Sequence, residues 1–279
     1  MSHPDDDRTV EDREEPAVPP AMGAALAARL AGRRWARNLV GQAGASVYRI
    51  HAEGHRDLYL KHGRGEAAVS VADEAQRLRW LAENDGPAPA VLHAEHSAGE
   101  AWLLTSAVPG RTAHEWLTDR PSQGAQIATA LADALRRLHA LPVSSCPFLA
   151  GHERRLAEAR RRLDAGLIDE SAFDDARQGW SAQQVWHEMT GLLPLVVDPV
   201  VCHGDYSLDN ILLDDQLRVT GLIDLSRLGV ADRYQDLAIL WNCLDEFGPE
   251  VQQRFMATYG IDEPDERKMR FHLCLDECF

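Results

Sequence analysis

Apolar and polar residues alternate through residues 46–50 (Ser46, Val47, Tyr48, Arg49, Ile50) and again through 57–61 (Asp57, Leu58, Tyr59, Leu60, Lys61). A period of two marks half-buried strands. The stretch 51–56, with Gly54 inside it, is the hairpin turn expected between them. Residues 72–82 change to helical spacing, with Ala75, Leu78 and Leu81 or Ala82 on one face. A short apolar strand is expected at 101–104, and Pro109-Gly110 marks a turn after it. From there the pattern is mostly helical. Ile127, Leu131, Leu135 and Leu138 recur at three- and four-residue spacing and lead to His139. Residues 157–166 are Arg-rich with a partial apolar face from Leu156, Leu163 and Leu167, which reads as a solvated helix face. Short strands are expected at 200–203 and 219–223, with Ile211-Leu212-Leu213 between them, and helices at 237–244 and 251–259. A β-rich first third followed by a helical remainder predicts an α+β protein of two lobes.

Composition narrows the chemistry. The chain has 279 residues, 45% apolar and 26% charged, which suits a globular protein with its own core. It carries 29 Lys and Arg against 44 Asp and Glu, a net charge of −15. That field repels nucleic acid and attracts small polycations. No apolar run reaches the ~18 residues of a membrane span. The first 15 residues hold seven acids against Arg8 and Arg13, the opposite of a secretory leader. Residues 1–22 are expected to be a disordered acidic tail. Five cysteines without a CxxC pair argue against a disulfide framework or a zinc site, so a cytoplasmic location is expected. His272, Cys274 and Cys278 read as buried side chains of a terminal helix.

The most informative stretch is 203–210, His-Gly-Asp-Tyr-Ser-Leu-Asp-Asn, immediately after an apolar strand. Asn210 follows Asp205 by five residues, and a second apolar strand ends at Asp224. Two carboxylates and an amide form a hard-oxygen set suited to Mg²⁺ with nucleotide phosphates. One acid left outside the metal shell can orient a hydroxyl for attack. Upstream stand a small-residue turn at 41–46, Lys61 near a strand end and Glu74 on the following helix. Singly, each is ordinary: a hairpin turn, a solvated lysine, a surface acid, a turn-capping Asp. In this order they match a bilobal phosphotransferase, where the lysine meets nucleotide phosphates, the helical glutamate fixes the lysine, and the acid–amide loop handles nucleophile and metal.

The segments 203–210 (HGDYSLDN) and 223–238 (IDLSRLGVADRYQDLA) resemble the aminoglycoside 3'-phosphotransferases, which have a protein-kinase-like fold. ILWNCLDEFGP (239–249), WARNLVGQAGASVYR (35–49), LYLKHGRG (58–65), AWLLTSAVPG (101–110), GLIDESAFDDARQGW (166–180) and the terminal LDECF (275–279) resemble the type I subclass, the kanamycin kinases. The likeness runs from about residue 34 to the end. It implies an N-lobe at 23–104, a hinge at 105–110 and a helical C-lobe at 111–279. It implies Asp205 as catalytic acid, Asn210 and Asp224 as Mg²⁺ ligands, and Lys61, paired with Glu74, on the phosphates of ATP. The turn at Gly44-Ala45-Ser46 would cover those phosphates, and Ser106 and Val108 would meet adenine through their backbones. Asp174, Asp175, Glu277 and the carboxylate of Phe279 would join Asp205 in receiving the amines of the drug, with Arg227 ordering the region.

Four positions depart from the family pattern. Ser226 stands where a glycine is usual, which costs stability if that backbone needs φ > 0. Ala172 and Ala176 replace acids of the substrate loop, and Cys278 replaces an aromatic residue. The expected activity is ATP-dependent phosphorylation of the 3'-hydroxyl of kanamycin- or neomycin-like drugs, with neither nucleic acid nor membrane as partner. A streptomycin 3''-kinase, a more distant choline- or macrolide-like kinase, and a catalytically dead drug-binding protein are the rivals.

Overall fold

Residues 14–39, 44–51, 54, 56–97 and 99–279 are described by a computed structural model of the chain. They form two compact units that divide between Val108 and Pro109. The first carries β1 (Glu14–Ala17), α1 (Ala24–Arg29), β2 (Arg34–Asn38), β3 (Ser46–His51), β4 (Leu58–Arg64), α2 (Glu66–Glu83), β5 (Val91–Ser97) and β6 (Glu100–Ser106). Its six strands are antiparallel in the order β1-β2-β3-β4-β6-β5. Period-two alternation sorts the side chains between the two faces. Leu60, Ile50 and Leu104 join Leu26, Leu30, Trp35 and Trp102 in one apolar cluster beside α1. Lys61, the next residue along β4, is directed to the other face, where α2 packs on β4, β5 and β6.

Two expectations change in this unit. Of the expected tail, residues 1–13 lie outside the described residues, but Glu14–Ala17 forms β1, paired from Glu14↔Asn38 to Ala17↔Trp35. Backbone pairing at an open sheet edge needs no apolar side chain, so composition alone misses it. Lys61 is not at a strand end either. The strand continues because His62 pairs with Trp102, stacks on its ring at 3.6 Å and bonds Glu100 at 2.7 Å.

The second unit carries β7 (Arg111–Thr112), α3 (Ala113–Asp119), α4 (Gly124–His139), α5 (His152–Asp164), α6 (Ala182–Gly191), β8 (Pro199–Cys202), β9 (Ile211–Leu213), β10 (Val219–Leu222), β11 (Gly229–Asp232), α7 (Tyr234–Cys243), α8 (Pro249–Tyr259) and α9 (Glu266–Asp276). The stripe Ile127, Leu131, Leu135 and Leu138 is buried, as its spacing requires, and α4 packs on α8. Two small sheets, β8–β11 and β7–β9–β10, bring the polar loops after β8 and β10 to one place. Cys274 and Cys278 lie in an apolar cluster with Ala159, Phe173, Val185, Met189 and Phe271. No helix among the described residues is long and apolar enough to cross a membrane.

Candidate functional site

In the first unit, Lys61 Nζ donates to both oxygens of Glu74 at 2.9 Å. Glu74 is buried, unlike the surface acid that a lone helical glutamate would be. The pairing follows from local geometry. The strand runs through Gly65 directly into α2, whose first turn lies against Gly63. A Cβ on Gly63 would stand 2.4 Å from the Ala67 carbonyl oxygen. Thirteen residues then bring α2 back over Lys61. Of the expected phosphate turn, Gly44 has φ +78°, Ser46 opens β3, and 41–43 lie outside the described residues. Ser106 ends β6, with its N–H on Ala90 O at 3.0 Å, and Val108 closes the unit.

In the second unit the loop after β8 hangs on one buried carboxylate. Asp236, on α7, accepts from His203 N at 2.7 Å, Gly204 N at 2.8 Å and His139 Nε2 at 3.0 Å. His139 Nδ1 is 2.7 Å from the Tyr259 hydroxyl. Burial alone would raise the Asp236 carboxyl, but its donors, His139 first, hold it below the usual carboxylate range. His203 Nε2 lies 3.0 Å from Ile223 O. A carbonyl only accepts, so Nε2 carries the proton and Nδ1 accepts the Asp205 N–H at 3.3 Å. Gly204 has φ +91°, and a Cβ there would meet Arg227 O at 2.5 Å. Only glycine fits at this turn, immediately before Asp205.

Asn210 Nδ2 donates to Asp205 O at 3.0 Å, and Ile223 N donates to Asn210 O at 3.0 Å. The first bond fixes the amide orientation and leaves the side-chain oxygen as the ligand atom. Asp224 adopts φ 59°, ψ 53°, a left-handed conformation that Asp tolerates better than most residues. Ser226 lies in the one-turn helix Leu225–Arg227 and is not among the described positive-φ residues. The strained position is Asp224, so Ser226 carries no left-handed penalty.

The expected acidic pocket is less open than its sequence implies. Arg177 Nη1 bonds Asp174 Oδ2 at 2.7 Å and Glu277 Oε1 at 3.0 Å, and Glu277 also accepts the Asp174 N–H. Burial, then the Asp174 charge, push Glu277 up to about 7. Asp175 is exposed. Arg162 donates to Cys278 O at 2.7 Å and to Phe279 O at 3.4 Å. The Arg227 guanidinium lies 4.9 Å from the Phe279 ring centroid.

Sequence reasoning passed over Asp276. Burial holds its carboxyl above the usual range; Arg155 opposes the rise, the Asp205 charge adds to it and Arg227 opposes. Asp205, Asp276, Arg155 and Arg227 therefore share one electrostatic neighbourhood. The signal was the acidic pair 276–277 at the end of the last helix.

The family model described as the phosphotransferase enzyme family matches residues 35–272. An aminoglycoside 3'-phosphotransferase of Escherichia coli is 50% identical over 268 residues, 96% of this chain and 98% of that protein. The crystal structure of a type VIII aminoglycoside 3'-phosphotransferase superposes with TM-score 0.80 at 39% identity, covering 91% of this chain and 97% of that one. A 3''-type aminoglycoside phosphotransferase from Streptomyces rimosus, solved with ADP and streptomycin, gives TM-score 0.72 at 31% identity over 86% of this chain and 94% of that one. The chain belongs to the phosphotransferase enzyme family, within its aminoglycoside 3'-phosphotransferase branch.

Proposed function

We propose that the protein transfers the γ-phosphoryl group of ATP to the 3'-hydroxyl of kanamycin- and neomycin-type aminoglycosides, and so confers resistance from the cytoplasm. The observation that carries this reading is the Asp205 loop: the buried Asp236 carboxylate fixes the backbone at His203 and Gly204, immediately before Asp205. The relatives' 3' designation supports the regiochemistry over a 3''-kinase.

The second unit's part is to hold the drug. Asp205 accepts the hydrogen bond of the 3'-hydroxyl and aims its oxygen at phosphorus. The new O–P bond forms as the bond to the ADP oxygen breaks, and the hydroxyl proton passes to the Asp205 carboxylate and then to solvent. A loose transition state asks for orientation more than for a strong base. Asp276, Glu277 and Asp174 receive ammonium groups through charge-assisted bonds. Asp175 adds long-range attraction. Asn210 and Asp224 fit a hard divalent cation: an amide oxygen oriented by the Asp205 carbonyl, and a carboxylate. They would hold Mg²⁺, which neutralises phosphate charge when bound.

The first unit's part is to hold the nucleotide. Lys61, kept in place by both oxygens of Glu74, supplies the cation for the phosphates. Gly44, Ala45 and Ser46 cover them, and the Ser106 carbonyl and Val108 N–H take the adenine edge.

The test is ADP release with ATP and Mg²⁺, comparing kanamycin with tobramycin, which lacks the 3'-hydroxyl. Turnover with kanamycin alone is expected. Turnover with both would move the reaction to another hydroxyl. Drug binding without turnover would favour a sequestering protein.

A further inference from the structure

We infer that Arg155 is the positioning residue that sets the acidic chain end, Asp276 to Phe279, for the aminoglycoside. This rests on the proposed function above. Arg155 is the fourth residue of α5 and only 6% exposed. Its Nη2 lies 3.7 Å from Asp276 Oδ1, and its guanidinium lies 4.6 Å from the Phe279 ring centroid. Among the described residues its Nε and Nη2 have no hydrogen-bond partner. Buried donors without acceptors destabilise a fold, so packing alone does not account for an arginine here.

The need for a cation at this point is physical. α9 ends at Asp276, and Glu277 caps it. Two acidic side chains thus sit at the negative end of a helix dipole, where ionisation makes them repel one another and the last carbonyls. Two positive groups from α5 answer them. Arg162, two turns after Arg155 on the same face, bonds the Cys278 and Phe279 carbonyls, and Arg155 faces the Asp276 carboxylate and the Phe279 ring. A buried guanidinium does not receive the ammonium groups of a drug, because like charges repel. It acts through the acids, holding the Asp276 carboxylate in place and opposing the rise that burial imposes on it. A lysine keeps the charge but not the planar stack on the ring.

The experiment compares Arg155→Met and Arg155→Lys with wild type in the full-length enzyme, reading KM for kanamycin, KM for ATP, kcat and thermal midpoint. Arg155→Met is expected to raise KM for kanamycin about tenfold or more, the scale of one lost charge-assisted contact, with KM for ATP and kcat within about threefold. Arg155→Lys should recover part of that loss. If Arg155→Met fails to fold, Arg155→Lys and Arg162→Met carry the same comparison, and each should raise KM for kanamycin more than KM for ATP. An unchanged KM for kanamycin, or equal changes in both KM values and kcat with no recovery by lysine, overturns the inference. Absence of kanamycin-dependent ADP release in wild type overturns instead the reading on which it rests.

Discussion

Replacing Asp236 with asparagine keeps the shape of the side chain and removes its charge. The carboxylate accepts two donors on Oδ2, His203 N and His139 Nε2, and one on Oδ1, Gly204 N. An asparagine amide has one accepting oxygen. Its best orientation keeps the pair at the Oδ2 position and turns an NH₂ toward the Gly204 N–H. A buried N–H without an acceptor costs about 1–3 kcal/mol. The two surviving bonds lose their charge assistance, roughly 0.5–1 kcal/mol each. The expected destabilisation is therefore about 2–5 kcal/mol, and Asp236→Ala, which breaks all three bonds, should lie toward the top of that range.

Gly204 precedes Asp205, so the backbone shift should displace the catalytic carboxylate. A misplacement of about 1 Å costs roughly a hundredfold in kcat. The pH dependence has a definite sign. Asp236 is held below the ordinary carboxylate range, so its contribution is present above about pH 4 and is lost as pH falls through the lower folded value. Urea unfolding of wild type and Asp236→Asn at pH 7 and in steps below about pH 4, together with kcat at pH 7, checks all three statements. An asparagine variant within about 0.5 kcal/mol of wild type, with kcat within threefold, would refute the reasoning.

Two further outcomes follow from the ion pairs. Glu74→Gln leaves the partly buried Lys61 ammonium without its counter-charge, so about 2–3 kcal/mol of stability should go, and ATP binding measured calorimetrically should weaken; unchanged ATP affinity would mean Lys61 needs no partner. Glu277, pushed up to about 7, ionises as pH rises through neutrality, so KM for kanamycin should fall across that window. Glu277→Gln should flatten this part of the KM–pH profile, and identical profiles would remove Glu277 from drug binding.

The regular elements were legible because the core is sorted by period. The stripe from Ile127 to Leu138 and the alternation around Leu60 are buried as their spacing requires. β1 and the far half of β4 were not, because backbone pairing and the stacking of His62 on Trp102 hold them. The motif 203–210 and Asp224 announced chemistry through residue type, and Lys61 with Glu74 through order. Partners far apart in sequence were hidden. Nothing local says that His139 meets Asp236 97 positions later, or that Arg177 spans 100 positions to engage Glu277. Ser226 shows the converse limit: a glycine preference in a family pattern does not say which residue carries the left-handed turn, here Asp224.

That hidden arginine changes what the missing loop acids should do. Asp174 and Glu277 both engage Arg177, so two of the expected drug contacts begin partly neutralised. Ala172 and Ala176 are exposed on the same loop, where the family pattern has acids. Acids restored there would add long-range attraction without disturbing a packed contact. Exposed charge pairs contribute about 0.2–1 kcal/mol each. The double variant Ala172→Asp, Ala176→Glu should therefore lower KM for kanamycin by roughly two- to thirtyfold near 20 mM salt, with kcat unchanged. At about 1 M salt the screening length shrinks to ~3 Å, and the gain should vanish. Steady-state kinetics across a salt series measures this. A gain that persists at high salt would mean direct contact with the drug, and no gain at low salt would mean that the 170–177 loop lies beyond the field of the bound polycation.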